Sequence, residues 1–67
     1  MKKLPIETAV KRLRERRGWT QEELAREIGI TVYTVHRWET RKTKPTKLAF
    51  RILKALLDEE GIDVEKR

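Results

Sequence analysis

The sequence predicts an all-α fold, a compact bundle of four helices. Three observations predict it. Apolar residues recur at intervals of three and four, glycines and cap residues divide the chain into four segments, and no segment alternates apolar and polar residues as a strand would. With 67 residues the chain fits one domain with a single small core, so a deep active-site cavity is not expected.

The first helix is predicted to run from Pro5 to the residue before Gly18. Pro5 is tolerated in a first helical turn, and Ile6, Val10 and Leu13 follow it at helical spacing. Gly18 ends the helix because glycine readily adopts the left-handed conformation of a carboxyl-terminal cap.

The second helix has the clearest start in the chain. Thr20 and Glu23 have the spacing of a capping box, in which each side chain bonds the other residue's backbone N–H. Trp19 and Leu24 have the spacing of a hydrophobic staple around the same boundary. The helix is expected to end at Gly29, which permits a left-handed turn.

The third helix, predicted over about residues 31–40 with Thr31 as its cap, has two unlike sides. At about 100° per residue, one side holds Thr34, Val35 and Trp38. The other side holds Val32, Tyr33, His36, Arg37 and Thr40. Apolar, aromatic and basic side chains together favour a contact surface over a merely solvated face. The alternative is that Tyr33 covers a helix junction and Val32 shields a staple.

The fourth helix is predicted to open at Pro45 and Thr46 and to end at Gly61. Its apolar stripe is predicted to comprise Leu48, Ile52, Leu53, Leu56 and Leu57. Ile62 is expected to fold back on Leu57. The functional domain is therefore predicted over residues 1–62, with residues 63–67 as a short polar tail that frays.

Composition narrows the classes of function. Seventeen Lys and Arg against eleven Asp and Glu give a net charge of +6, which favours a phosphate-rich partner. Cysteine is absent, and the one histidine, His36, has no nearby Asp or second His to orient it, so neither an enzyme nor a metal, cofactor or small-molecule site is expected. No segment has membrane-spanning length or an export signal, so a cytoplasmic location is expected. Asn is absent and 42% of residues are charged, which suggests a thermophilic source.

Helices 2 and 3 are joined through a short glycine turn, and the second of them bears the outward face. This helix-turn-helix, from residue 21 to about residue 40, is the arrangement that fits a helix into the major groove of double-stranded DNA. Lys42, Lys44 and Lys47 follow it, where they could lie along phosphates.

These residues resemble a known family. The run GWTQEELAREIGITVYTVHRWETRKTKP is similar to the helix-turn-helix of the phage repressor and Cro type, also called the XRE family, and the likeness covers residues 13–57. Gln21, Ala25, Gly29, Val35 and Trp38 stand where that family has its helix-opening Gln, small packing residue, turn glycine and two core positions. The resemblance implies a lambda-repressor-like bundle whose third helix enters the major groove, in a regulator from a bacterium, archaeon or phage that binds a palindromic operator and often represses transcription.

The resemblance and the outward face together assign site residues. Predicted base contacts are Val32, Tyr33, His36 and Arg37. Predicted phosphate contacts are Thr20, Gln21, Thr40, Arg41, Lys42, Thr43 and Lys44. The resemblance further implies that Gln21 braces the first reading residue and that Arg14 pairs with Glu39, anchoring the end of helix 3 to helix 1.

Two departures from the family leave alternatives open. Arg41 stands where many members have the glycine that ends the recognition helix, so helix 3 is expected to run on or to end less sharply. The family commonly adds a fifth helix that contributes to dimer contacts, so both a five-helix bundle and a homodimer on DNA stay open. The alternative function is a protein-interaction module on the same fold, such as an antitoxin that binds a toxin and regulates its own promoter.

Overall fold

Four helices account for most of the chain in the computed structural model, which describes residues 3–65. They are α1 (Ile6–Arg17), α2 (Gln21–Ile28), α3 (Val32–Glu39) and α4 (Lys47–Glu59). The described residues form no strand beyond one isolated bridge between Leu4 and Val64, and they contain no fifth helix. The prediction of an all-α, four-helix fold is therefore confirmed.

The helix boundaries follow the local signals in the sequence. Gly18 and Gly29 close α1 and α2 with φ of 66° and 89°, the left-handed region that glycine occupies without steric cost. Thr20 opens α2 with both hydrogen bonds of the capping box, and Thr31 and Thr46 cap α3 and α4 through their hydroxyl groups. The start of α1 differs, because Pro5 precedes the helix as its cap instead of forming its first turn, and the end of α3 also differs from the expectation, as described below.

The core lies where α3 packs between α1 and α2, with α4 closing the bundle against both of those helices. Trp38 of α3 is its largest side chain and is 2% exposed. The other buried apolar residues are Ala9, Val10, Leu13, Leu24, Ala25, Ile28, Val35, Ala49, Leu53, Leu57, Ile62 and Val64. Because α3 contributes only two residues to this core, Val35 and Trp38, the rest of its surface is left for other contacts.

The apolar stripe predicted on α4 is partly wrong. Leu53 and Leu57 are fully buried, but Leu48 is 66% exposed and Ile52 is 38% exposed. Leu48 and Leu53 stand five residues apart, about 140° around the helix, so a single packing face cannot cover both. Ala49 is buried in place of Leu48.

The expected fraying after Ile62 is also wrong for the residues that the structure describes. Ile62 folds back as predicted, its N–H donating to the carbonyl oxygen of Leu57 at 2.9 Å. Val64 is then buried, and Leu4 lies alongside it, donating to the carbonyl oxygen of Asp63 and accepting from the N–H of Glu65, both at 2.9 Å. Residues 66 and 67 of the predicted tail lie outside the described residues, and the domain boundary at residue 62 stays a prediction.

Partly exposed ion pairs join the carboxyl-terminal ends of α1 and α4. Arg17 contacts Glu59 at 2.8 Å and also Glu60, and Arg16 lies 3.5 Å from Glu60. Hydrogen bonding to Arg17 lowers the pKa of Glu60 below its ordinary value. These contacts account for acidic residues at a helix end where the helix dipole alone disfavours them. No helix within residues 3–65 is long and apolar enough to cross a membrane.

Candidate nucleic-acid interface

The outer side of α3, comprising Val32, Tyr33, His36 and Arg37, faces away from the core. Tyr33 is 63% exposed and Val32 40% exposed, His36 is exposed, and Arg37 is half-buried. Val35 and Trp38, centred about 160° away around the helix, are buried. The division of α3 into two sides therefore follows the expectation from the sequence.

Arg37 and Tyr33 form a pair within that outer side. Nη1 of Arg37 donates to the hydroxyl oxygen of Tyr33 at 3.0 Å, and the guanidinium carbon lies 5.5 Å from the centre of the tyrosine ring. A guanidinium has five N–H donors in one plane, so this single bond orients the group and leaves most of its donors available to a ligand. The tyrosine thus positions the arginine.

Glu39, at the carboxyl end of α3, holds the helix to its scaffold. Its side chain is only 3% exposed and accepts three hydrogen bonds. Arg14 of α1 donates to Oε2 through Nε at 2.6 Å and to Oε1 through Nη2 at 3.0 Å, and Gln21 of α2 donates to Oε1 through Nε2 at 3.0 Å. The hydrogen bond to Glu39 raises the pKa of Arg14 above its ordinary value. One buried carboxylate therefore joins three helices.

The resemblance implied that Gln21 braces the first base-reading residue, but the Gln21 side chain bonds Glu39 instead, its amide nitrogen donating to the carboxylate. The capping box already takes the backbone N–H groups of Thr20 and Glu23, so those of Gln21 and Glu22 are the ones left for a ligand at the start of α2. The first turn of a helix leaves several N–H groups without intrahelical partners and carries a partial positive charge, which suits a phosphate. Thr20, the cap, is exposed beside Gln21.

The loop after α3 carries the other predicted phosphate contacts. Thr40 bonds the carbonyl oxygen of His36 through its hydroxyl group at 2.9 Å, which ties the loop to the last turn. The side chains of Lys42, Thr43 and Lys44 are exposed. Three cations, Arg41, Lys42 and Lys44, thus follow Arg37 in a loop that bends back on the helix. The N–H of Lys42 donates to the carbonyl oxygen of Arg37 at 2.8 Å.

Arg41 ends α3 by itself taking the conformation that glycine would take. Its φ is 65°, and α3 stops at Glu39, so the expectation that the helix runs on or ends less sharply is wrong. For a residue with a side chain, the left-handed conformation costs about 1–2 kcal/mol. The Arg41 side chain is 77% exposed, and its Nε lies 3.4 Å from the Glu7 carboxylate, a contact too exposed to offset that cost.

A groove of about 530 Å³ connects the outer side of α3 to the loop. It is lined by Ile30, Tyr33, Thr34, Arg37, Trp38, Thr43, Lys44, Thr46 and Ala49. The sequence assigned Thr34 to the packed side, but Thr34 is half-buried and lines this groove with Tyr33 and Arg37. Thr34 lies at the margin of the packed side, next to Arg37 around the helix, and this position in the sequence could have indicated that it is only partly buried.

The structure thus brings together most of the predicted site. Tyr33, Arg37, Thr43 and Lys44 line one groove. Val32 and His36 lie on the same helix side, whereas Thr20 and Gln21 stand at the start of a different helix. Within residues 3–65, no three His, Cys, Asp or Glu side chains lie close enough to hold a metal ion.

Comparison with known proteins agrees with this geometry. The family model HTH_3, described as helix-turn-helix, matches residues 10–60. The antitoxin HipB of Escherichia coli strain K12 is 38% identical over 52 residues, which is 76% of this chain and 59% of HipB, so the chain spans well under two thirds of that relative. In fold, the chain is similar to the solution structure of the DNA-binding domain of the P22 C2 repressor, with a TM-score of 0.73, 19% identity, and coverage of 87% of this chain and 76% of that one.

Proposed function

The chain belongs to the helix-turn-helix family, as its resemblance to the phage repressor and Cro type predicted, and from this premise we propose that it is a sequence-specific regulator of transcription that binds double-stranded DNA. In this proposal α3 enters the major groove of an operator, and the protein acts as a non-enzymatic repressor in the cytoplasm.

One observation carries the proposal. The inner side of α3, a helix of eight residues, is held by a buried carboxylate that accepts hydrogen bonds from two other helices. Its outer side exposes an aromatic, an aliphatic and a basic side chain. Exposed apolar groups cost free energy unless a ligand covers them, and a rigid mounting reduces the entropy lost on binding. A helix mounted in this way fits the major groove, which is about 12 Å wide.

The outer side of α3 supplies unequal base contacts. Arg37 presents its guanidinium to O6 and N7 of a guanine, the bidentate contact that best identifies that base. Val32 contacts a thymine methyl group, and Tyr33 adds ring contact while its hydroxyl orients Arg37. His36 contributes a smaller contact at the edge. Readout therefore combines one hydrogen-bonded base with methyl contacts and DNA shape.

Phosphates on either side of the groove position the helix. Thr20 and Gln21 bring the amino-terminal end of α2 to one phosphate. The loop residues Thr40, Arg41, Lys42, Thr43 and Lys44 follow the backbone on the other side. Contacts of this type set the register of the protein on DNA without reading sequence, and a palindromic operator would take two copies.

A second candidate function is favoured by the similarity to HipB. In this reading the same domain is an antitoxin that binds a toxin protein and regulates its own promoter. DNA binding is then retained, but a second surface of the domain, or a segment beyond it, contacts the toxin. The two candidates differ in how strongly the chain alone discriminates between DNA sequences.

Selection of bound sequences from random DNA tests the proposal. We expect one motif to emerge, bound about a thousandfold or more tighter than random DNA at physiological salt. Half-sites repeated about 10 base pairs apart would further identify a two-fold complex. Recovery of no motif, with similar weak affinity for all sequences, would contradict a specific regulator and favour the interaction module.

A further inference from the structure

A carboxylate of α1 lies against the loop that carries the proposed phosphate contacts. Glu7 stands in the first turn of α1, and its Oε2 lies 3.4 Å from Nε of Arg41. The Glu7 side chain is only 20% exposed, whereas that of Arg41 is 77% exposed. Packing therefore restricts the carboxylate, while the arginine side chain is free to turn toward a ligand.

The cavity around this pair is electrically balanced. It has a volume of about 300 Å³, and its charged lining consists of Glu7, Arg41, Lys44 and Glu65. Two carboxylates from the two ends of the described chain thus face two cations of the loop. The loop by itself, with Arg41, Lys42 and Lys44, is a run of positive charge that attracts phosphate. The fold therefore weakens the field of the loop at Arg41.

We propose that Glu7 restrains DNA binding by occupying Arg41, which must leave this carboxylate before a phosphate can take its place. This role rests on the proposed function, because it requires Arg41 to reach a phosphate of the DNA backbone. Two anions within a few ångströms of one guanidinium repel each other, so the phosphate and the Glu7 carboxylate compete for it. Glu7 itself touches no DNA in this arrangement, and it is therefore a positioning residue that acts through Arg41.

The restraint is small and independent of DNA sequence. An exposed ion pair changes an equilibrium constant by about twofold to fivefold, and the contact with Glu7 should weaken DNA binding by that factor. A phosphate contact fixes the position of the protein without reading bases, so selected and random DNA should be affected alike. Base reading by Arg37 on α3 is not involved.

Glu7→Gln tests the restraint, because glutamine keeps the length of the side chain and removes its charge. Glu27→Gln, which removes the same charge at an exposed position on α2, is the matched control for the change in net charge. The affinity of Glu7→Gln for random duplex DNA should exceed that of the control by about twofold to fivefold. Circular dichroism checks that both variants stay folded. Equal affinities for the two variants would overturn the proposal.

A double-variant cycle tests whether Glu7 acts through Arg41. In a chain that already carries Arg41→Ala, adding Glu7→Gln should raise affinity no more than adding Glu27→Gln does, because no guanidinium is left to release. While Arg41 is present, Glu7→Gln should also steepen the slope of log affinity against log salt concentration by up to about one. A full gain of affinity without Arg41 would show that Glu7 repels DNA directly, which contradicts a role through Arg41.

Glu7→Asp guards against a folding defect, since it keeps the negative charge that favours the first turn of a helix. Its shorter side chain reaches less far toward Arg41, so affinity should rise at unchanged net charge, but by less than for Glu7→Gln. If the unmodified chain binds no duplex DNA, the proposed function fails and this role fails with it. If the unmodified chain binds and neither Glu7 variant binds more tightly than the control, the role of Glu7 alone is lost.

Discussion

The two sides of α3 do different work in one short helix. The inner side buries Val35, Trp38 and Glu39, at 0%, 2% and 5% exposure, and every hydrogen bond that Glu39 accepts comes from another helix. The outer side exposes Val32 and Tyr33 and bonds only within itself. Substitutions on the inner side should therefore change stability, and substitutions on the outer side should change recognition. Four predictions run from the largest expected effect to the smallest, two on the sides of α3 and two on the loop after it.

Glu39→Ala should lower the free energy of unfolding by about 2–4 kcal/mol. The substitution removes the acceptor of three hydrogen bonds and leaves the donors of Arg14 and Gln21 without a partner in a largely buried site. Because the Arg14 side chain is 22% exposed, water can reach it, which keeps the loss below that of a fully buried ion pair. Urea denaturation followed by circular dichroism measures the change.

Glu39→Gln is the matched control, since it keeps the volume and one acceptor but removes the charge. Its loss of stability should fall between those of the unmodified chain and Glu39→Ala. If both variants unfold at the same urea concentration as the unmodified chain, the buried carboxylate does not hold α3, and the inner side of α3 does not determine stability in the way proposed.

On the outer side, Arg37→Ala should cost about 1–3 kcal/mol of binding free energy on the selected DNA and relax the preference at one base pair. Stability should change little, because the one hydrogen bond of the Arg37 side chain within residues 3–65 goes to the hydroxyl group of the exposed Tyr33. Fluorescence anisotropy with the selected DNA and with its substituted versions measures both effects. Tyr33→Phe, which removes only the acceptor of that bond, should lose less.

Equal losses on selected and random DNA would show that Arg37 contacts phosphate instead of a base. Arg37→Lys sharpens the distinction, because lysine keeps the charge but lacks the planar fork that reads guanine. It should retain affinity for random DNA and lose the base preference.

Some of the features behind these predictions could be predicted from the sequence, and others could not. Local signals were sufficient for most helix boundaries, because a cap such as Thr20 or a glycine such as Gly18 acts within one turn. The outward side of α3 was also predictable, since a fixed rotation per residue separates it from Val35 and Trp38.

The remaining features depend on how distant segments meet. The bond from Gln21 to Glu39 joins residues 18 positions apart, and the burial of Val64 depends on Leu4 lying beside it. Leu48 and Ile52 were wrongly included in the buried stripe of α4, because an apolar pattern alone does not show which of its residues another helix covers. The left-handed Arg41 follows from the path of the loop, against the preference of the residue itself.

Arg41→Gly should raise the free energy of unfolding by about 0.5–1 kcal/mol, because glycine relieves the left-handed strain but loses more entropy on folding. Arg41→Ala is the matched control, since alanine removes the same charge while keeping the strain, and it should not stabilise the chain. Thermal unfolding of the two variants separates strain from charge. Equal melting temperatures would show that the conformation of Arg41 is not strained. If Arg41 contacts phosphate, both variants should lose the same affinity for DNA.

Lys44→Ala should have the smallest effect, and one that does not depend on DNA sequence. Lys44 is exposed in the loop and lines the groove beside Arg37, where a phosphate contact would release about one counterion on binding. The slope of log affinity against log salt concentration should become shallower by about one, equally for selected and random DNA. Lys54→Ala, on α4 with a carboxylate partner of its own in Asp58, should leave that slope nearly unchanged. If Lys44→Ala leaves the salt dependence of affinity unchanged, Lys44 does not contact a phosphate. If the variant loses affinity for selected DNA alone, Lys44 contacts a base, and base contacts are then not confined to the outer side of α3.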